Sequence, residues 1–202
     1  MGIKNYIYTY FKTNWLIFFA IIFIFLAGIA VGGYSLIMMN AENITSIKDY
    51  TDNFFSATVL NGTDNKSIFL FSFIDSFKII TLIWISGFFV FLIPVAFIQI
   101  FLKGFRIGFS IAYFSGLYSL KGLLYAFINY FSTNIFLLPL IIFFTVFCIK
   151  NSVKKGQGAK KRIFSLSNIS VYIVFVALSF VLSLFDGYVM SFVLKLAAAI
   201  NL

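Results

Sequence analysis

Long apolar runs separated by short polar punctuation divide this chain. Residues 15–39 contain no Asp, Glu, Lys or Arg over 25 positions, about 37 Å as a helix at roughly 1.5 Å per residue. The hydrocarbon core of a bilayer is roughly 30 Å thick, so the run predicts a membrane-crossing helix with some tilt. It is longer than the apolar core of a secretory signal, about 7–15 residues, and ends in Met38-Met39 rather than a small-residue cleavage site. It therefore reads as a retained anchor.

Residues 40–78 are the most polar part and hold five of the six acids: Glu42, Asp49, Asp52, Asp64 and Asp75. Ser46 with Asp49 three residues later resembles a helix N-cap, and Ile47, Tyr50, Phe54 and Ala57 recur at helical spacing until Asn61-Gly62. A short amphipathic helix is expected there, followed by an aromatic lead-in, 68–77, to the next span. That span is predicted at 79–102, with Trp84 near its start and Pro94 inside it.

Beyond Lys103-Gly104-Phe105-Arg106 the apolar runs shorten. Residues 107–120, 123–131 and 135–149 are separated by Lys121-Gly122 and by Ser132-Thr133-Asn134. None is long enough to span comfortably, so the pattern predicts a broken central unit: a third span plus an interfacial or re-entrant segment over 107–131, and a fourth span at 135–149. Irregular backbone at membrane depth is tolerated where protein or a wet cavity shields it, which directs Lys121 and Asn134 toward protein or interface. A basic loop, 150–162, precedes a fifth span at 163–185, closed by Asp186-Gly187. Residues 188–202 read as an interfacial C-terminal helix, with continuation of the fifth helix as the alternative.

Composition narrows the class. Of 202 residues, 62% are hydrophobic and 10% charged, where soluble domains carry about 25% charged. The fold class is all-α: a single polytopic membrane domain of about five transmembrane helices. The formal charge of +9 acts as a topology signal, because ten of the fifteen Lys and Arg fall in the N-terminal arm, at Lys103/Arg106 and in 150–162, with no acid among them. Cationic short loops stay in the cytoplasm. This predicts an N-in, C-out chain whose acidic 40–78 segment is extracytoplasmic.

Small residues mark packing faces. Gly104, Gly108, Ala112 and Gly116 lie four apart, as do Gly28 and Gly32, and such faces let helix backbones approach closely in lipid. Packing within the chain is the first explanation, a homodimer face the alternative. Candidate chemistry is thin. Without histidine, the histidine-based triads and metal sites are excluded, and no acid pair has a setting for acid–base work. The Gly104 to Gly108 stretch lacks the Lys-Ser/Thr of a phosphate loop. The basic 154–162 run lacks the aromatic interleaving of a nucleic-acid site and suits anionic lipid headgroups. No catalytic residue, cofactor, metal or nucleic-acid partner is implied. Asp186, an acid at a span end, is divided between pairing with Lys121 or capping and a functional contact.

The central segment resembles the stage II sporulation protein M family of endospore-forming bacteria. The resemblance is carried by Trp84, Gly87, Ile93-Pro94, Phe101-Leu-Lys103-Gly104-Phe-Arg106-Ile-Gly108-Phe109, Lys121-Gly122, and Asn134 followed by Pro139, with Asp186 where related chains carry Glu. It extends from about residue 71 to 149 and more loosely to both ends. It implies a non-enzymatic scaffold in the engulfing cell membrane of the mother cell. Such a scaffold holds two peptidoglycan hydrolases, stage II sporulation proteins D and P, in place during forespore engulfment. The competing expectation is a transport or channel component built on the broken helices 107–149.

Overall fold

The computed structural model describes residues 9–61, 65–156 and 166–199; within these, side chains are described except for 54–61, 118, 121, 124–135, 154–156, 166–167 and 189–199. The described chain forms helices α1 (Trp15–Ile37), α2 (Ala41–Asn61), α3 (Asn65–Ser86), α4 (Ile93–Gly156) and α5 (Leu166–Ala199), with a 3-10 turn at Val90–Leu92. α4 is two helices joined at Ser119, whose φ of 51° and ψ of −134° are not helical. We call its arms α4a (93–118) and α4b (120–156). Among the described residues, five segments are long and apolar enough to cross a membrane: Trp15–Ile37, Asn65–Ser86, Val90–Leu117, Phe136–Val153 and Asn168–Tyr188.

The register of these helices differs from the sequence pattern in instructive ways. The second span is α3, beginning fourteen residues before Ile79 and ending at Ser86 rather than at residue 102. At the α3–α4 break, a Cβ on Gly87 would lie 3.1 Å from the Trp84 carbonyl oxygen and 3.2 Å from the Cys148 Cβ, so the chain turns where it passes close to α4b. Phe89 is extended, and Pro94, second residue of α4, sits in a first turn where its missing N–H costs no hydrogen bond. α4a then runs unbroken through Lys103-Gly104-Phe105-Arg106, the segment expected to be a loop. The break in the central unit falls at Ser119, just before Lys121-Gly122, while the backbone stays helical through 132–134.

Two smaller corrections follow from hydrogen bonds. α2 starts at Ala41, where the Asn40 carbonyl accepts from the amides of Asn43 and Ile44. Ser46 is therefore inside the helix, donating back to the Glu42 carbonyl at 2.9 Å rather than capping. α5 continues past Asp186-Gly187 to Ala199. Gly187 is a contact point instead of a stop: a Cβ there would come within 3.0 Å of the Asn65 carbonyl oxygen and 3.1 Å of the Phe69 Cβ.

Two helix pairs organise the bundle. α1 and α4a run parallel, with Gly28 against the backbone of Phe101 and Phe105, Gly32 against Phe105, Gly104 against Phe25 and Gly108 against Ile29. α3 and α5 run antiparallel: Gly187 meets Asn65, Phe180 packs edge-on against Phe69 and Phe73, and Tyr172 meets Thr81 at 2.9 Å. α4b joins the two pairs. Its Leu137, Ile141, Phe144 and Val146 share one buried cluster with Phe18 and Ile21 of α1, Ile79, Ile80 and Ile83 of α3, and Ala96 and Ile100 of α4a.

Candidate functional site: a charged cluster at mid-depth

Asp75 is the eleventh of the 22 residues of α3, about 15 Å from either helix end at roughly 1.5 Å per residue. Lys103 lies equally deep, eleventh from the start of α4 at Ile93. The helix register brings Arg106 and Lys103, one turn apart on α4a, to opposite oxygens of that carboxylate. Arg106 donates from Nη1 to Asp75 Oδ1 at 2.6 Å, and Lys103 Nζ lies 3.9 Å from Asp75 Oδ2. Lys103 is 9% exposed. From the other side, Asp186 of α5 adds its negative charge to the field at Lys103 and accepts a 2.6 Å hydrogen bond from Ser72, one turn before Asp75.

Two carboxylates and two cations, contributed by three helices, thus lie within the apolar spans, Asp75 and Lys103 near the middle of theirs and Asp186 two residues from the end of its own. Charge-assisted hydrogen bonds are shorter and stronger than neutral ones, and in low dielectric each charge depends on its counter-charge. The arrangement is an electrostatic tether of α3, α4a and α5. The seam beneath it is made of small residues, Ser76 on α3 with Ser179 and Ser183 on α5, all buried.

The glycines act beside the tether. A Cβ built on Gly28, Gly32, Gly104 or Gly108 would collide with a backbone carbonyl oxygen of the facing helix. The two small faces meet each other, which brings the α1 and α4a backbones together at the level of Lys103. Gly116 is different: a Cβ there would touch only Leu36 Cδ2 at 3.9 Å. Ala112 is half-buried.

The remaining motif residues scatter. Trp84 stacks on Tyr172 at 4.5 Å and meets Phe88 edge-on at 4.7 Å, beside a small cavity lined also by Gly87, Cys148, Asn151 and Asn168. Pro94 and Pro139 are exposed on α4, and Gly122 is buried. The side chains of Lys121 and Asn134 lie outside the described residues. Asp186 is buried and accepts from Ser72, while the expected pairing with Lys121 involves a side chain outside the described residues. The sequence pattern missed Asp75 and Ser72 as site residues by leaving both outside a span. The signal was present, since residues 67–86 contain only Asp75 and Lys78 as charges.

The sequence profile described as Stage II sporulation protein M matches residues 21–200. The chain belongs to the stage II sporulation protein M family. No curated protein and no solved structure matches it. Membership and the five apolar helices together make this a sporulation-related, multi-pass membrane protein. The charged cluster falls inside the matched region. So do all four glycines of the α1–α4a crossing.

Proposed function

We propose that this stage II sporulation protein M is a non-enzymatic scaffold of the mother cell's engulfing membrane that anchors stage II sporulation proteins D and P. The observation that carries the reading is the mounting of α2. This 21-residue helix is tied to the last turns of α4a by Tyr113 Oη donating to Thr51 Oγ1 at 3.1 Å. It presents Glu42, Asp49 and Asp52 to solvent together with Tyr50, which is 75% exposed. An exposed amphipathic tyrosine flanked by carboxylates is well suited to a protein contact.

Positive residues support its side of the membrane. With Lys103 and Arg106 inside a span, Lys4, Lys12 and the six cations of 150–162 still belong to one face, which the positive-inside rule assigns to the cytoplasm. α2 then faces the cell wall, where peptidoglycan hydrolases work. The transport alternative needs broken helices across 107–149, and the described backbone there departs from helix at Ser119.

The test is to substitute Glu42, Asp49, Tyr50 and Asp52 together with alanine and follow fluorescent hydrolases in sporulating cells. Delocalised hydrolases with the variant still inserted at normal abundance are expected. Normal localisation would refute the proposal. Substitution is preferable to deletion because α3 starts at Asn65, whose carbonyl packs on Gly187.

A further inference from the structure

The tether has an outer side. Lys103 is enclosed, but Arg106 keeps 46% of its side chain exposed and Asp75 28%. One turn further along α3, Lys78 is exposed as well, with no ion pair to it among the described residues. Lys78 interrupts a stripe of exposed apolar side chains formed by Phe71, Ile74 and Leu82, and Leu102 lies exposed one turn before Arg106. Asp75 takes Arg106 and lies one turn from Lys78, so both exposed cations flank the same carboxylate beside these apolar side chains.

Such a face is unsuited to hydrocarbon, because intramembrane charges seat against protein, water or one another. Reaching an interface is hard for Lys78. It lies eight residues from Ser86 and thirteen from Asn65, about 12 and 20 Å of helix. Its Cα–Cβ bond tilts toward the helix N-terminus, which is the farther end. Asp75 and Asp186 together balance Lys103 and Arg106, so Lys78 leaves a surplus of positive charge here.

We infer that this face seats a transmembrane helix of a different protein, one bearing a carboxylate at mid-depth opposite Lys78 and Arg106. A second copy of the chain does not supply it. Of the six acids, Glu42, Asp49, Asp52 and Asp64 precede α3, while Asp75 and Asp186 are engaged within their own chain. Two copies meeting here would also oppose Lys78 to Lys78. A lipid phosphate would have to descend about 12 Å from the headgroup level. The inference rests on the recruiting role proposed above and gives it a contact inside the bilayer, independent of α2.

The full-length protein in phosphatidylcholine vesicles, at a mildly alkaline pH, can be titrated with labelled polyleucine helices of about 20 residues. The helices carry Glu, Leu or Lys at the midpoint, and association is read by energy transfer. The Glu helix is expected to associate on the order of tenfold more tightly than the Leu helix, the range of an intramembrane polar contact. Lys78→Leu should remove that preference and Lys78→Glu should transfer it to the Lys helix; because Lys78 is exposed, both variants should fold. Equal association of the Glu and Leu helices would overturn the inference. So would a Glu preference unchanged in Lys78→Leu, self-association of the chain that excludes the Glu helix, or a preference abolished by anionic lipid. Any of these leaves the α2 proposal standing, since no hydrolase is present.

Discussion

The Asp75 carboxylate joins α3 to α4a by taking the Arg106 guanidinium at 2.6 Å on one oxygen while Lys103 approaches the other at 3.9 Å. Removing this one acid leaves two cations without their shared partner. Asp75→Asn is expected to destabilise the bundle by about 2–4 kcal/mol, toward the lower end of the cost of breaking a buried pair because Arg106 is partly exposed. Reversible denaturation in mixed micelles measures it. Asp75→Leu combined with Lys103→Leu and Arg106→Leu should recover part of the loss, and a triple variant no more stable than Asp75→Asn would show that the orphaned cations are not the cause.

The α1–α4a crossing predicts a sharp contrast among glycines. Gly32→Ala and Gly108→Ala each force a methyl group into a facing carbonyl and should cost about 2 kcal/mol or more. Gly33→Ala, whose Cβ would meet only the Gly108 carbonyl at 3.8 Å, and Gly116→Ala should stay within about 0.5 kcal/mol. Thermal melts of the four variants, run side by side, decide it.

Ser119 carries a positive φ of 51°, a region that costs a non-glycine residue about 1–3 kcal/mol. Ser119→Gly should therefore raise stability by up to about 1 kcal/mol, the gain from relieved strain being offset in part by a more flexible unfolded chain. Ser119→Val should lower it. A melting temperature that falls for glycine would refute the strained turn.

Orientation can be read by cysteine labelling in a Cys148→Ser background. Asn43→Cys on α2 should react with an impermeant maleimide added to intact protoplasts, and Gln157→Cys only after permeabilisation. The reverse pattern would invert the bundle.

Much of the architecture was legible because membrane helices must satisfy their backbone internally, so apolar length alone marks them. The five spans and the small faces at Gly28, Gly32, Gly104 and Gly108 follow from that. What hydropathy could not place was the register of α3 and α4a. Asp75, Lys78, Lys103 and Arg106 look like punctuation when each is weighed against lipid, and Gly87 and Pro94 look like interruptions. Three of the four charges belong inside the bundle once Asp75 meets Lys103 and Arg106, a contact across 28 and 31 positions that no local window contains. The same blindness made Gly187 a helix end, when its missing side chain admits Asn65 and Phe69.

The parallel crossing of α1 and α4a also sets an order of assembly. Gly28 and Gly104 are separated by 76 positions in the chain, which a ribosome covers in about 4–15 s at roughly 5–20 residues per second. During that interval α1 is already in the bilayer with its glycine face against lipid, while α2 and α3 are still being made. Whatever occupies that face in the meantime, whether lipid, the insertion machinery or a neighbouring helix, must leave before Gly104 and Gly108 can close on it. Biogenesis of this bundle therefore depends on a held-open first helix, and slowing synthesis between α1 and α4a would lengthen the period in which it can pair with the wrong neighbour.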